Sequence, residues 1–425
     1  MRMDLFGAIA LLATSMPLCA DDAKPAATTP RVTVIVGATV LPVRGAPIRR
    51  GTVIWKDGKI VAVGPELAVP DGAEVIDGTG RYVCPGFVAV LTSSVGVSRT
   101  QGDVASSLDP YGQALRIVLS NGITTVQVYD QNFAGLFGTE AALAAGSNSA
   151  VIKLTHGDLA GMLIREPALN YFSLPTRQLE VNYYELRDRF RRAKEFIAKR
   201  AQAREKKEKE PAMDRDLGPY VTVLENERPT VFSPRSNEEI ETILDLRARY
   251  GFDVVLNEPN EAWQIAPRLA AARVPVLVKS RGRDFDFSSS GPTLEEGDMA
   301  PVRRPAAFAR AGVDVTILPY RRGVDTGGIA GRDLSTLAMD AAFAVRGGLS
   351  ENEALAAITI APARVLRVDD RVGTLEAGKD ADVLITSGHP LDYRSWVLQA
   401  FINGKLYYDR SSSRLYRRVP LHEEK

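Results

Sequence analysis

The stretch Glu238–Asn257 reads EEIETILDLRARYGFDVVLN. A helical segment, EEIETILDLRARYG, runs straight into a short apolar strand, FDVVLN (252–257). The unit then repeats: EAWQIAPRLAAARV precedes PVLVKS (275–280), and PAAFARAGV precedes DVTILPY (314–320). Three successive helix–strand units of similar length argue for a parallel α/β barrel, on the order of eight strands once the remaining units are counted.

Working outward, the same rhythm begins at Pro85. ALRIVLSNG (114–122) reads as helix, ITTVQVY (123–129) and AVIKLT (150–155) as strands, and residues 176–210 as one long charged helix. Acids and bases are mixed along that helix, which marks a solvated face rather than a nucleic-acid patch. Before Pro85 the pattern is different. RVTVIVGATVLPV, GTVIWKDGKIVAVG and AEVIDGTGRYV alternate and turn often, and Asp57-Gly58 between two Val/Ile runs is a hairpin signal. After a helix over Glu351–Val365, the chain returns to β segments in VGTLEAGKDADVLIT and WVLQAFINGKLYYD. The fold class is therefore α/β: a TIM-like (β/α)8 barrel over 85–365, with a small composite β-sandwich built from 31–84 and 366–412 and a tail over 413–425.

The chain has 425 residues, 45% hydrophobic and 25% charged, with 53 Lys+Arg against 52 Asp+Glu. A net charge of +1 creates no global field favouring nucleic acid or an anionic membrane. At the N-terminus, Arg2 precedes the apolar run Leu5–Ala13, followed by Pro17, Leu18, Cys19 and Ala20. That run is too short to span a bilayer but suits a signal peptide over 1–20, cut after Ala20, with a linker over 21–30. Met16-Pro17-Leu18 is a poor match to the small residues that precede a lipidated cysteine. After cleavage Cys84 alone remains, so no intrachain disulfide can form. The expected location is the periplasm or the exterior, and no later segment reads as transmembrane.

The strand CPGFVAVLTSS (84–94) raises the functional question. In parallel α/β folds chemistry sits at strand ends, yet this strand ends in Leu91-Thr92-Ser93. Together with GTVIWKDGKIVAVG, AEVIDGTGRYVCPGFV, ENEALAAITIAPARVL and above all Gly373–Asp382, GTLEAGKDAD, it resembles the amidohydrolase superfamily, in particular its imidazolonepropionase-like and dihydroorotase-like metal-dependent hydrolases. The resemblance implies hydrolysis of an amide or related C–N bond by a metal-activated water. It also implies a His-Xaa-His pair after strand one, a Lys or Glu after a middle strand, single histidines after strands five and six, and an Asp after strand eight.

Measured against that expectation, the ligand positions are degenerate. Leu91 and Ser93 replace the histidine pair, Ser233 or Pro234 stands at strand five, Glu258 at strand six, and Pro319 or Tyr320 at strand eight. The census agrees, since the chain holds only His156, His389 and His422. His389 lies in a turn of the closing β segment and His422 in the tail, so only His156 could approach a strand-end site. Zinc is expected from the family, but its ligands are missing, and no cofactor is expected. Carboxylates at Asp130, Asp158, Glu258, Asp284, Asp286 and Asp325 could make an oxygen-rich site instead. The Gly-rich stretches 135–138 and 327–331 lack a phosphate-loop ending.

The reading is an exported amidohydrolase-fold protein that binds or scaffolds rather than hydrolyses. Its candidate pocket is Lys153, His156, Glu258, Lys279 and Tyr320. Lys153 has a second reading, as a barrel-packing lysine. The partner would be a small polar ligand or a protein, which could be an active paralogue, in an oligomer and without nucleic acid. The rival reading is an active amidohydrolase with a rewired metal-free or carboxylate-metal site.

Overall fold

In the computed structural model of the chain, Asp57 and Gly58 both take positive φ (52° and 79°), the conformation that lets a two-residue turn follow the twist of its strands. They join β2 (Ile48–Lys56) to β3 (Lys59–Pro65), which pair antiparallel, and β2 also pairs with β1 (Val32–Val40). The structure describes residues 32–93, 95–98, 104–129, 149–172, 174, 179–281, 300–324, 333–414 and 416–419. The signal segment, the linker, Cys19, Ser94, Asp130, the Gly-rich stretches, Asp284, Asp286, Asp325 and His422 lie outside them.

Strands β4 (Glu74–Asp77) and β5 (Tyr82–Pro85) run parallel to β1. The far end of the chain completes this sheet through β15 (Val383–Thr386), β16 (Val397–Ile402) and β17 (Lys405–Asp409), with β15 antiparallel to β5. The result is an eight-stranded sheet drawn from both ends of the chain. Its core gathers Ile35, Val53, Trp55 and Val83 with Leu375, Val383 and Phe401.

Between these pieces lie two further sheets. One has four strands: β6 (Phe87–Thr92), β7 (Ile123–Tyr129), β8 (Ser149–Lys153) and β9 (Leu163–Arg165). The other holds β10 (Asn170–Phe172), β11 (Thr230–Phe232), β12 (Val254–Asn257), β13 (Val276–Val278) and β14 (Val315–Ile317), every pair parallel. The helices are α1 (Gln113–Leu119), α2 (Leu179–Glu205), α3 (Gly218–Glu225), α4 (Asn237–Tyr250), α5 (Ala266–Ala271), α6 (Arg304–Arg310), α7 (Leu337–Arg346), α8 (Glu351–Ala356) and α9 (Ile360–Val365). The repeated helix–strand units read from the sequence are α4–β12, α5–β13 and α6–β14. Ser236 caps α4 by accepting from the Glu239 N–H, and Gly251 ends it in the left-handed region.

Alternation along each strand separates two faces. Val88, Val90, Val151, Val231, Val255, Leu277 and Leu318 form one inner cluster. Their neighbours Phe232, Val254, Leu256 and Val276 pack outward against α2, α4 and α5. Gly86, at the start of β6, has no room for a side chain: a Cβ there would lie 2.0 Å from Thr124 Oγ1.

Two features depart from the sequence reading. First, β8 is not a parallel stave: it runs antiparallel to both β7 and β9. Its periodicity, fully buried on both faces, looks the same in either direction. Second, Glu351–Val365 is two helices rather than one. The break leaves backbone carbonyls free for neighbouring strands: Ala357 O accepts from Ile317 N–H (3.0 Å) and Ile358 O from Val88 N–H (2.8 Å).

Candidate active-site mouth

The C-terminal tips of β6, β7 and β10–β14 gather at one end, and alternation points Tyr129, Tyr171, Ser233, Asn257 and Lys279 inward there. At the β6 tip, Leu91 adopts φ 58° within a register irregularity and is 1% exposed, packed in the inner apolar cluster with Leu277 and Leu318. Gln127 holds it there. The buried Gln127 Oε1 accepts from the Leu91 N–H (2.8 Å) and from the Tyr171 hydroxyl (3.2 Å), while Gln127 O accepts from Thr92 Oγ1 (2.9 Å). Ser93 is half-buried, and its N–H donates to Arg322 O (2.8 Å), which ties the β6 tip to the loop after β14.

At the β11 and β12 tips, Asn257 Nδ2 donates to Ser233 Oγ (2.9 Å). Asn257 is 6% exposed, yet its Oδ1 has no hydrogen-bond partner. Next to it Glu258, at φ 49°, forms an ion pair with Lys279 (2.9 Å). At the β13–β14 tips, Arg281 pairs with the buried Asp340 on α7 (2.5 Å), donates to Thr336 Oγ1 (2.7 Å) and lies over the Tyr320 ring at 5.3 Å. The Tyr320 N–H donates to Asp340 Oδ2 (3.2 Å). Burial pushes the Asp340 carboxyl above its ordinary range, while Arg281, the Tyr320 N–H and Thr336 pull the other way. Burial likewise pushes the Tyr171 phenol up, and the nearby Arg322 guanidinium opposes that shift. Pro319 is buried between Leu318 and Tyr320.

Glu258, Lys279 and Tyr320 thus stand at strand tips, with Glu258 and Lys279 in direct contact. Lys153 and His156 do not belong with them. Because β8 is reversed, its C-terminal end lies at the opposite pole. There the fully buried Lys153 ammonium meets Asp380 Oδ2 (2.7 Å), Asp382 Oδ1 (2.8 Å) and Asn403 Oδ1 (2.6 Å). Lys59 (2.6 Å) and Arg371 (2.8 Å) share Asp380, so the cluster fastens β8 to the sheet built from both chain ends. His156 follows on the same side, its ring edge-on to Tyr111 at 6.2 Å. Asp158 there accepts from the Tyr407 hydroxyl (3.1 Å). Residues the sequence did not single out, Gln127, Asn257, Arg281, Arg322 and Asp340, make much of the mouth. Inward alternation could have flagged Gln127 and Asn257; Arg322 and Asp340 carry no local signal.

A cleft of about 610 Å³ lies elsewhere, between α7 and the loop after β15, lined by Met339, Phe343, Glu351, His389, Leu391 and Tyr393 among others. Among the described residues it includes none of the inward-facing tip residues. The strand-tip arrangement is the better guide to chemistry in this architecture.

The amidohydrolase family pattern matches residues 312–407. An imidazolonepropionase of Mesorhizobium japonicum is 25% identical over 407 aligned positions, spanning 80% of this chain and 86% of the relative. The amidohydrolase structure from Thermotoga maritima superposes with a TM-score of 0.68 at 24% identity, covering 89% of this chain and all of that one. The chain belongs to the amidohydrolase superfamily. A dihydroorotase of Mycobacterium tuberculosis is 51% identical, but over 43 residues, so this superfamily member matches only 10% of that protein's length. The superposition gives this amidohydrolase-superfamily chain a TIM-barrel-like α/β fold.

A zinc site needs converging imidazole, thiolate or carboxylate donors. Among the described residues, no three His, Cys, Asp or Glu side chains converge. At the ligand positions implied by the resemblance, Leu91 is sealed in an apolar cluster, Pro319 has no donor side chain, and Glu258 already faces a cation. These residues do not fit the metal.

Proposed function

We propose that this chain is an amidohydrolase-fold protein whose mouth binds a small polar ligand without metal-dependent hydrolysis. The observation that carries this reading is the state of the strand tips. Leu91 is locked inward by Gln127 among apolar side chains, and Glu258 is neutralised by Lys279. An apolar floor beneath polar tip residues suits binding, because the polar groups act in a partly desolvated place. A water-activating centre would need donors that these positions do not offer.

The finer architecture belongs to the same proposal. The two inner sheets and the 357–359 segment would close into one barrel of eight staves, one of them reversed, and the sheet from both chain ends would fold over as a composite sandwich. Export rests on the Leu5–Ala13 run and its basic flank. An oligomer, with this chain or with an active paralogue, is the expected assembly. The test is hydrolysis of a panel of amides and cyclic amides by the purified protein, with zinc added and after chelation. No turnover in either condition is expected. Zinc-dependent turnover that chelation abolishes would overturn the reading, and metal-independent turnover lost in Glu258→Gln would favour a rewired enzyme.

A further inference from the structure

Among the cations at the strand-tip end, Lys279, Arg281 and Arg322 differ in what they face. Lys279 is paired with Glu258 and Arg281 with Asp340. Arg322 is half-buried and, among the described residues, meets no carboxylate. Its backbone is fixed, because Arg322 O accepts from the Ser93 N–H (2.8 Å) and the neighbouring Gly323 O accepts from the Leu334 N–H (3.0 Å). Its guanidinium is near enough to the inward-facing Tyr171 for its charge to oppose the burial-driven rise of that phenol, and Tyr171 packs against the apolar cluster that holds Leu91 and Leu318. A half-buried guanidinium that meets no carboxylate among the described residues is in the situation in which Arg binds carboxylates.

A second, independent feature points into the same mouth. Asn257 is more than nine-tenths buried and alternates inward, and its Oδ1 is an acceptor without a donor. A buried polar atom left unmatched costs free energy, and a ligand donor would relieve it. The walls supply flat surface: the Tyr129 and Tyr171 rings meet edge-to-face at 6.3 Å.

We infer that the mouth recognises a small carboxylate with a flat apolar body and a hydrogen-bond donor, its carboxylate on Arg322 and its donor on Asn257 Oδ1. The inference rests on the binding reading above and names its ligand class. No covalent step is involved.

The experiment is titration calorimetry of the full chain with 4-aminobenzoate, beside 4-aminobenzamide, which removes the charge, and benzoate, which removes the donor. The expected result is that 4-aminobenzoate binds at least tenfold tighter than 4-aminobenzamide and measurably tighter than benzoate. Arg322→Gln should weaken 4-aminobenzoate at least tenfold while leaving the amide unchanged, and Asn257→Leu should erase its advantage over benzoate. Arg322→Lys keeps the charge and should retain part of the affinity, which separates loss of recognition from misfolding. Equal affinity for acid and amide, no binding of 4-aminobenzoate, or an Arg322→Gln variant that binds like the parent would overturn the inference. The metal-free reading fails on zinc-dependent turnover instead, so the two failures are distinguishable.

Discussion

Replacing Lys153 with methionine probes whether this residue is a weld or a site residue. The side chain is fully buried and is the common partner of Asp380, Asp382 and Asn403. Without its ammonium, Asp380 keeps Lys59 (2.6 Å) and Arg371 (2.8 Å), so its charge stays compensated. Asp382 is left with the Asn403 N–H (2.9 Å) on Oδ1, while its Oδ2 has no partner to begin with. The cost is that of one uncompensated buried carboxylate, about 3–5 kcal/mol. Removing that charge with Asp382→Asn in the same background should recover about 0.5–3 kcal/mol. Urea unfolding followed by tryptophan fluorescence is a suitable assay, since Trp55 is buried in the sheet to which the cluster fastens β8. A loss below about 1 kcal/mol, the range of an exposed ion pair, would refute the assignment. So would an Asp382→Asn change that adds its own full cost.

Four further outcomes follow from the same contacts. Burial raises the Asp380 carboxyl, but Lys153, Lys59 and Arg371 outweigh it and hold the group below its ordinary range. A depressed folded value means the stabilisation is complete above about pH 4 and is lost as pH falls through the folded value, so acid unfolding should be shallower in Asp380→Asn. Gln127→Leu strands the buried Leu91 N–H and removes one acceptor of the Tyr171 hydroxyl, which should cost about 1–3 kcal/mol in chemical denaturation. Gly86→Ala drives a methyl into Thr124 and should destabilise by about 1–3 kcal/mol or more, read as a lower melting temperature. Glu258→Gln breaks a pair whose side chains are about a third exposed, so it should change stability by less than about 1 kcal/mol while altering ligand binding.

The parts of the molecule that repeat were legible in the sequence. The three helix–strand units at α4–β12, α5–β13 and α6–β14 appear where their periodicity places them, and Asp57-Gly58 makes the hairpin its φ preferences favour. Strand direction was not legible at β8. Five consecutive buried residues carry no arrow, and the reversal moves Lys153 and His156 to the pole opposite the mouth. The double helix at Glu351–Val365 was hidden for a related reason, because its break is set by hydrogen bonds to β6 and β14 rather than by a local stop signal. At the site, Glu258, Lys279 and Tyr320 were found because they end strands. Gln127 and Asn257 read as ordinary strand polars, and their importance comes from partners 36 and 24 residues away, Leu91 and Ser233. Among the described residues Arg322, unlike Lys279 and Arg281, meets no carboxylate, which spacing cannot reveal.

Metal stoichiometry tests the central claim most directly. The purified full chain would be incubated with excess zinc, dialysed, and analysed by elemental mass spectrometry beside Leu91→Ala and Glu258→Gln. A zinc content far below stoichiometric, unchanged by either substitution, is the outcome expected if these strand tips form an apolar, charge-paired binding mouth. Stoichiometric zinc that survives dialysis and is lost in Glu258→Gln would contradict it.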